Sequence, residues 1–533
     1  MFTLHSVLFI VVALVAAANL LAELSRDLMM MQQNSYRTER YMRWLRASAD
    51  TTSFVRIVAY CVLLASLVTF ASPTWAMSLI CVFSAGSLLW LLTRKYKKPL
   101  VWTPRARRIY GVAVLLCAVA CVLGFFLSAY GLAHKMFVLA VLVMGLYCAS
   151  HIIMMAAVVI LKPVESHINK GYYDDAARIL GSMKQLKVIG ITGSYGKTST
   201  KHYLNRILSE SFSVVMTPGS FNTTLGVIRT VREYLKPYTE VFICEMGAKQ
   251  GGDIREICDL VHPSIGIVTA VGPQHLESFK TIENVQRTKF ELVDSLPSDG
   301  LAVVNDDFQY VASREVGNVE CLRYAVSADH ATAFRAGDIE YTASGTKFTI
   351  TGPDGLQLTL TTKLVGECNI SNLMAAVIVA LHLGVPHDKI RYAVEKIEQV
   401  EHRLNLKRTP AGITIIDDAF NSNPTGSGMA LDVLAAMTTG KRIVITPGMI
   451  ELGDRQDELN CEFGRHIARS ADIAIIVGLY NRDSICRGID DGGVQPPKTY
   501  TVDTFNDAQA LLRTIAAPGD TVLYENDLPD TFK

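Results

Sequence analysis

The stretch Gly190-Ile191-Thr192-Gly193-Ser194-Tyr195-Gly196-Lys197-Thr198-Ser199-Thr200 decides how the larger part of this chain folds. The apolar run Leu186 to Ile191 before it is short enough for a buried strand. Lys201 to Ser209 after it reads as a helix. Strand, glycine-rich turn, Lys-Thr and helix is the layout of a phosphate-binding loop. Thr192, Gly193, Ser194, Gly196 and Ser199 lie where backbone N–H groups close around phosphate oxygens, and the helix N-terminus adds positive potential. Lys197 is placed to reach the β- and γ-phosphates, and the Thr198 hydroxyl to ligate Mg²⁺. The general pattern G-x-x-x-x-G-K-[ST] asks for glycine at 191, where this chain has Ile. By motif alone, a glycine turn without chemistry is the alternative.

The 533 residues are too many for one core, and the net charge of +1 gives no sign of nucleic acid. Half of the residues are hydrophobic, and the excess sits before residue 161. The 11 cysteines form no C-x-x-C pair. Cys61, Cys81, Cys117, Cys121 and Cys148 fall in apolar runs, where a small hydrophobe is the expected role, and the rest are scattered as in a reduced cytosolic domain.

Five apolar runs occupy the first 160 residues: Phe2 to Ala22, Phe54 to Phe70, Ala76 to Leu92, Ile109 to Leu127 and Met136 to Ile160. Each has a length that spans a bilayer, about 17–25 residues. Basic residues cluster in two of the loops: Arg26, Arg37, Arg40, Arg43 and Arg46, and then Arg94, Lys95, Lys97, Lys98, Arg105, Arg107 and Arg108. The positive-inside rule then puts the N-terminus outside, both basic loops in the cytoplasm and everything after Ile160 in the cytoplasm. Arg56, near a span end, is expected to snorkel. The basic loops also suit anionic lipid or a pyrophosphate-linked head group, with a topology signal alone as the plainer reading. Residues 161–185 are polar, and Asp174 to Leu186 reads as a short amphipathic linker helix.

Beyond the loop, strand-like runs alternate with helical stretches, which argues an α/β fold with a parallel sheet. Residues 311–365 alternate as in antiparallel strands, at Phe348-Thr349-Ile350-Thr351 and Leu358-Thr359-Leu360-Thr361. A second α/β series begins near residue 400. The expected domains are 1–160, a linker 161–185, 186–400 and 401–533. Polar residues gather where open α/β sheets hold ligands: Thr217-Pro218-Gly219-Ser220-Phe221-Asn222, Glu245-Met246-Gly247, Val271-Gly272-Pro273-Gln274-His275, and Lys289-Phe290-Glu291.

With these stretches in this order, the chain resembles the ATP-dependent Mur ligases, the amide-forming enzymes of cell-wall peptide assembly. Two later stretches strengthen the resemblance: Asp418-Ala419-Phe420-Asn421-Ser422-Asn423-Pro424 and Gly448-Met449-Ile450-Glu451-Leu452-Gly453. The resemblance covers roughly residues 186–525 and is best to the branch that adds a D-Ala-D-Ala dipeptide. It implies a P-loop central domain and a Rossmann-like C-terminal domain behind a bundle of about five transmembrane helices. It also implies that ATP phosphorylates a carboxylate and that an amine then attacks the acyl phosphate. By resemblance, Thr198 and Glu245 hold one Mg²⁺, while His275 and Lys289 hold a second, with Lys289 carbamoylated so that it offers hard oxygen ligands. Asn372 resembles an adenine contact. Arg403 and Asp418 resemble residues that meet the ATP phosphates on domain closure. Lys197, Lys289, His275 and Arg403 are thus the expected catalytic set.

Two departures touch the substrates rather than ATP. That branch begins with a soluble domain that binds a UDP-sugar, where this chain has apolar runs. It carries K-G-S after its last strand, where this chain has Tyr524-Glu525-Asn526-Asp527-Leu528-Pro529-Asp530. The expected partners are therefore ATP, an amino acid or dipeptide amine, and a UDP-linked or lipid-linked muropeptide carboxylate. The alternatives are ligation of another polymer such as poly-γ-glutamate, or a nucleotide-binding membrane scaffold without catalysis.

Overall fold

The computed structural model describes residues 4–68, 73–96, 98–128, 132–326, 332–342, 345–420, 422–493 and 496–527. Phe2, Phe70, Lys97, Asn421 and residues 528–530, all part of the expectations above, lie outside them. The described residues form two compact units, one up to residue 169 and one from 170–527.

The first unit is helical: α1 (Leu4–Gln33), α2 (Thr38–Ala47), α3 (Phe54–Val68), α4 (Pro73–Thr93), α5 (Pro104–Leu127), α6 (Leu132–Cys148) and α7 (Ser150–Ser182). α5 starts where the Thr103 side chain accepts the Ala106 N–H and Pro104 takes the first helical position. Among the described residues four stretches are long and apolar enough to cross a membrane: Val7–Gln33, Pro73–Thr93, Pro104–Leu127 and Ser150–Ser182. α3 and His134–Cys148 are shorter apolar helices.

The run Met136 to Ile160 is two helices rather than one. They meet at Ala149, whose N–H donates to Gly145 O and whose carbonyl accepts from Ile153, so helical bonding carries through the break. The expected linker helix is the end of α7, which continues through the polar stretch and past Pro163. From residue 170 the chain belongs to the second unit, and Tyr173, Ala177, Leu180 and Met183 pack on that unit's own core.

Arg56 does not snorkel. It is 2% exposed and bonds inside the bundle. Its guanidinium donates to Glu23 Oε1 at 2.7 Å, Tyr147 O at 2.7 Å and Ser150 Oγ at 3.0 Å. Arg26 donates to the same Glu23 oxygen at 2.8 Å and pairs with Asp50. The network ties α1, α3, α6 and α7 together by groups too costly to bury unpaired. The two basic loops meet at one end of the bundle. Gln32 exchanges hydrogen bonds with the Val101 backbone, Gln33 donates to Lys98 O at 3.0 Å, and the Arg105 guanidinium stacks on Tyr36.

The second unit opens with β1 (Lys187–Thr192), α8 (Lys197–Leu208), β2 (Val214–Met216), α9 (Thr224–Tyr234), β3 (Val241–Glu245), α10 (Asp253–Val261), β4 (Ile265–Val268), α11 (Leu276–Phe279), α12 (Ile282–Asp294) and β5 (Leu301–Asn305). It continues with α13 (Gln309–Ala312), β6 (Glu320–Ala325), β7 (Phe334–Thr342), β8 (Gly345–Thr351), β9 (Gln357–Thr362), α14 (Glu367–His382) and α15 (His387–Glu395). These strands form one sheet in the order β2-β3-β1-β4-β5-β6-β7-β8-β9. Pairing is parallel from β2 through β7 and antiparallel only for β7–β8–β9. The 311–365 segment therefore extends the parallel sheet before it turns back. The inner strands are buried end to end, as a sheet covered on both faces requires.

A second sheet starts at β10 (Asn405–Arg408), which pairs antiparallel with β11 (Thr414–Asp418). Then come α16 (Pro424–Ala435), β12 (Arg442–Thr446), α17 (Gln456–Ser470), β13 (Ile473–Val477), α18 (Arg482–Asp491), β14 (Lys498–Val502), α19 (Phe505–Ile515) and β15 (Thr521–Glu525). The order is β10-β11-β15-β12-β13-β14, parallel beyond β10. Separate apolar clusters fill its two faces.

Candidate active site

β1 lies between β3 and β4, so the loop at its carboxyl end emerges in the crevice beyond three strand ends. Ile191 is a fully buried residue of β1, and the turn proper begins at Gly193. Two glycines are required by space and conformation. Gly193 has φ +151°, and a Cβ there would lie 2.1 Å from Thr269 Oγ1. Gly196 has φ +78°, caps α8, and would carry a Cβ 2.1 Å from Asn372 Oδ1.

The loop is pinned to the ends of β3 and β4. Thr192 Oγ1 donates to Met246 O at 2.9 Å. Ser194 N–H donates to Ala270 O at 2.7 Å, and its hydroxyl both donates to Gly272 O and accepts from Gly272 N–H. Ser199 is buried in the first turn of α8. Asn372, expected at adenine, lies on α14 against this turn and accepts from Thr200 Oγ1 at 3.4 Å.

Lys197 folds over the loop and donates to Gly193 O and Ser194 O. Burial draws its pKa down to about 8 against the opposing pull of Glu245, and the Arg403 charge adds to the depression. Glu245 ends β3 at 1% exposure. Its Oε2 accepts from Thr198 Oγ1 at 3.2 Å, and its Oε1 from Asn222 Nδ2 at 3.1 Å. Burial raises its pKa, but Lys201, Lys197 and the hydrogen bonds outweigh this and hold the carboxyl below its usual range.

The side chain that sequence reasoning missed is Lys201, fully buried with Nζ 2.9 Å from Glu245 Oε2. The available signal was its position four residues after Lys197 on the same helix.

Lys289, on α12, is 2% exposed and makes no hydrogen bond or ion pair among the described residues. Burial, with the Lys197 charge nearby, holds its pKa well below that of an ordinary lysine. His275 sits at φ +53° before α11 and pairs through Nδ1 with Glu451 Oε2 of the second sheet's domain, a partner the sequence did not disclose. Burial lowers its pKa despite Glu451, and the Lys249 and Lys289 charges act in the same direction.

Arg403 makes no salt bridge among the described residues. It stacks on Phe420 with the guanidinium 4.4 Å from the ring centre. Burial lowers its pKa against the attraction of Asp418 and Glu245. The Asp418 carboxyl accepts the Leu404 N–H at 3.0 Å and is pushed up to about 6 by burial, partly opposed by Arg403. Glu525, its register neighbour on β15, is fully buried, accepts from Ser422 Oγ at 2.6 Å, and has its other oxygen unpaired. Burial and the Asp418 charge push the Glu525 pKa well up.

These residues fit a nucleotide and Mg²⁺. The two glycines let the loop backbone close against Thr269 and Asn372 at the N-terminus of α8, where backbone N–H groups are left for phosphate, and Thr198 with Glu245 offers hard oxygen donors. Among the described residues no group of three or more His, Cys, Asp or Glu gathers to cage a metal. That suits Mg²⁺, which keeps water and phosphate oxygens rather than an all-protein shell.

Residues 191–380 match the Mur ligase middle domain, and residues 402–524 match the Mur ligase glutamate ligase domain. The chain is 32% identical over 364 residues to the UDP-N-acetylmuramoyl-tripeptide–D-alanyl-D-alanine ligase of Mycobacterium bovis, covering 63% of this chain and 70% of that one. The chain belongs to the Mur ligase family. It is 26% identical over 343 residues to the enzyme of the same name from Bacillus subtilis, covering 64% and 72%. Among solved structures it is similar to MurF from Acinetobacter baumannii, with TM-score 0.60, 27% identity and coverage of 67% and 76%. MurF from Thermotoga maritima in complex with ADP gives TM-score 0.60, 25% identity and coverage of 67% and 80%. As a Mur ligase of MurF-like type, the chain is an ATP-dependent, amide-bond-forming enzyme, and its two sheets are the family's central and C-terminal folds.

Proposed function

We propose that this Mur ligase forms an amide bond on a peptidoglycan precursor while anchored in the cytoplasmic membrane by its N-terminal helices, with both ligase domains (186–400 and 401–533) in the cytoplasm. The acceptor is a muropeptide carboxylate, UDP-linked or lipid-linked, and the donor an amino acid or dipeptide amine. The observation that carries this reading is a contact between the two domains. Glu451 of the C-terminal domain pairs with His275 of the central domain and accepts the Glu277 N–H through its carbonyl at 3.2 Å, which brings the two sheets' domains together beside the loop.

The substrate carboxylate oxygen attacks the γ-phosphorus of ATP, ADP leaves, and an acyl phosphate forms. The amine nitrogen then attacks the carbonyl carbon, inorganic phosphate leaves, and a proton leaves the nitrogen. Lys197 and the loop amides hold the phosphate oxygens. Arg403, kept flat by Phe420 and without a salt bridge, supplies a bidentate donor to the transferring phosphoryl group. Mg²⁺, held by Thr198 and Glu245, neutralises charge between the two anions when bound. Lys289 serves as its carbamate. A buried amine without a partner and with a depressed pKa is the form that adds to CO₂, releasing a proton. His275 with carbamoylated Lys289 provides the second metal position. Asn372 and Asp418 complete the nucleotide site.

The membrane reading rests on four helices of sufficient length and apolarity and on the two basic loops joined at one end. The test is phosphate release from ATP by the full-length protein, with a panel of amino acids and dipeptides against UDP-linked and lipid-linked muropeptides. Release that needs both an acceptor and an amine supports the reading. None with any pair defeats it. Full activity on the UDP-linked acceptor after deletion of residues 1–160 argues against a lipid-linked one.

A further inference from the structure

Lys201 has an environment unlike that of any other lysine in the second unit. Its side chain is fully buried, its Nζ lies 2.9 Å from Glu245 Oε2, and it donates to Gly219 O at 2.6 Å. The same carboxylate takes Thr198 on that oxygen and Asn222 on the other. Thr217 Oγ1 accepts the Glu245 N–H at 3.1 Å, the Thr217 N–H donates to Ile243 O at 3.0 Å and Asn222 O accepts the Gly247 N–H at 2.7 Å, so the segment 217–222 folds over the end of β3, with Lys201 joining it to Glu245. Lys201, Thr198 and Asn222 all point at Glu245, and the first of them carries a full charge.

We propose that Lys201 is a positioning residue that balances Glu245 before substrate arrives, so that the site takes Mg²⁺ only together with nucleotide phosphates. This rests on the reading of Glu245 as a metal ligand. Among the groups facing this carboxylate, Lys197 and Lys201 carry two positive charges against its single negative one. A free divalent cation therefore meets a site of net positive charge, and unit charges a few ångströms apart in a buried site act strongly on one another. Mg²⁺ also parts with its water reluctantly, and one shared carboxylate gives it little reason to. A nucleotide polyphosphate reverses the sign by bringing several negative charges to the loop, and Thr198 and Glu245 would then hold the ion. Lys201 stays paired to the carboxylate throughout and keeps it aimed at the loop.

The test is isothermal titration of the full-length protein in mild detergent with MgCl₂ alone, ADP alone and ADP with MgCl₂, alongside thermal melts in each condition. The parent protein is expected to give no saturable MgCl₂ binding at millimolar concentration without ADP, and clear Mg²⁺-dependent tightening with it. Lys201→Met is expected to gain binding of MgCl₂ alone by about tenfold or more, and a rise in melting temperature on adding it, because Glu245 then lacks the cation in contact with it. Lys201→Arg, which keeps the charge, is expected to behave as the parent. The proposal is overturned if the parent binds MgCl₂ alone as well as with ADP, if folded Lys201→Met ignores MgCl₂, or if Lys201→Arg behaves as Lys201→Met. Should Lys201→Met not fold, the parent and Lys201→Arg titrations decide. Glu245→Gln separates the two readings: unchanged Mg²⁺-dependent tightening of ADP there removes Glu245 as a ligand, whatever Lys201 does.

Discussion

His275 of the central domain is hydrogen-bonded through Nδ1 to Glu451 of the C-terminal domain, and the Glu277 N–H donates to Glu451 O at 3.2 Å. Both partners sit in the left-handed backbone region, at φ +53° and +63°. Such conformations cost about 1–3 kcal/mol each and persist only where surrounding contacts hold them. The contact fixes the imidazole so that Nε2 is the nitrogen left to act. Glu451→Ala is expected to lower kcat about 10- to 100-fold, the range for partners that orient a ligand. ADP affinity should stay within about twofold, since no loop contact is touched. Equal losses in both, or unchanged turnover, would show that Glu451 does not orient His275.

Asp418 predicts a pH-dependent stability. Its ordinary pKa of 3.8 is raised to about 6 in the folded protein, chiefly by burial. Between these values the folded state holds a proton that the unfolded state has released. Stability therefore falls as pH rises from about 4 to 6 and stays lower above that. Asp418→Asn removes this loss. Its melting temperature relative to the parent should rise more at pH 7.5 than at pH 5, and on the role proposed for Asp418 at the nucleotide its activity should fall. An equal shift at both pH values would show that the carboxyl is not perturbed.

Much of the site could be read from the sequence because it is local. The loop, its strand and α8 are continuous in the chain, and Glu245 ends an apolar run that could only be an inner strand. Lys201 and Glu525 were not legible, since a charged residue on a helix or strand end reads as solvated. What buries Lys201 is a segment arriving from residues 217–222, and what buries Glu525 is pairing with β11. In the bundle, hydropathy over Met136 to Ile160 does not register a break at Ala149. The pairing of Arg56 with Glu23 joins helices whose contact no periodicity reveals. Alternation at 348–361 identified strands, but alternation carries no direction, so the parallel run through β6 and β7 was hidden.

Lys289 predicts a carbon dioxide requirement. It is buried with no hydrogen bond or ion pair among the described residues, and desolvation favours its neutral amine. An amine in that state adds to CO₂ to give a carbamate and a proton. Protein equilibrated with ¹³C-bicarbonate is expected to show a carbamate carbon resonance that is absent from Lys289→Arg. Turnover should fall in CO₂-depleted buffer and return on adding bicarbonate. A spectrum identical for parent and variant would remove the carbamate from the mechanism.

The last prediction concerns the bundle. Glu23 and Arg56 are each 2% exposed and meet at 2.7 Å. Removing one partner of such a pair leaves the other charge buried and costs about 3–5 kcal/mol, whereas removing both can cost much less. Glu23 also accepts from Arg26, and Arg56 from its side donates to Tyr147 O and Ser150 Oγ. Glu23→Gln and Arg56→Met should therefore each lower the melting temperature of the detergent-solubilised protein markedly. The double variant should be less destabilised than the sum of the two, with a coupling of about 0.5–3 kcal/mol. Arg26 keeps Asp50 as a partner in every variant, so its charge is not stranded and does not blur the comparison. Strict additivity would mean that the Glu23–Arg56 pair contributes no specificity to the way the bundle assembles, leaving the contact of Arg56 with Asp27 at 3.8 Å and apolar packing to hold these helices.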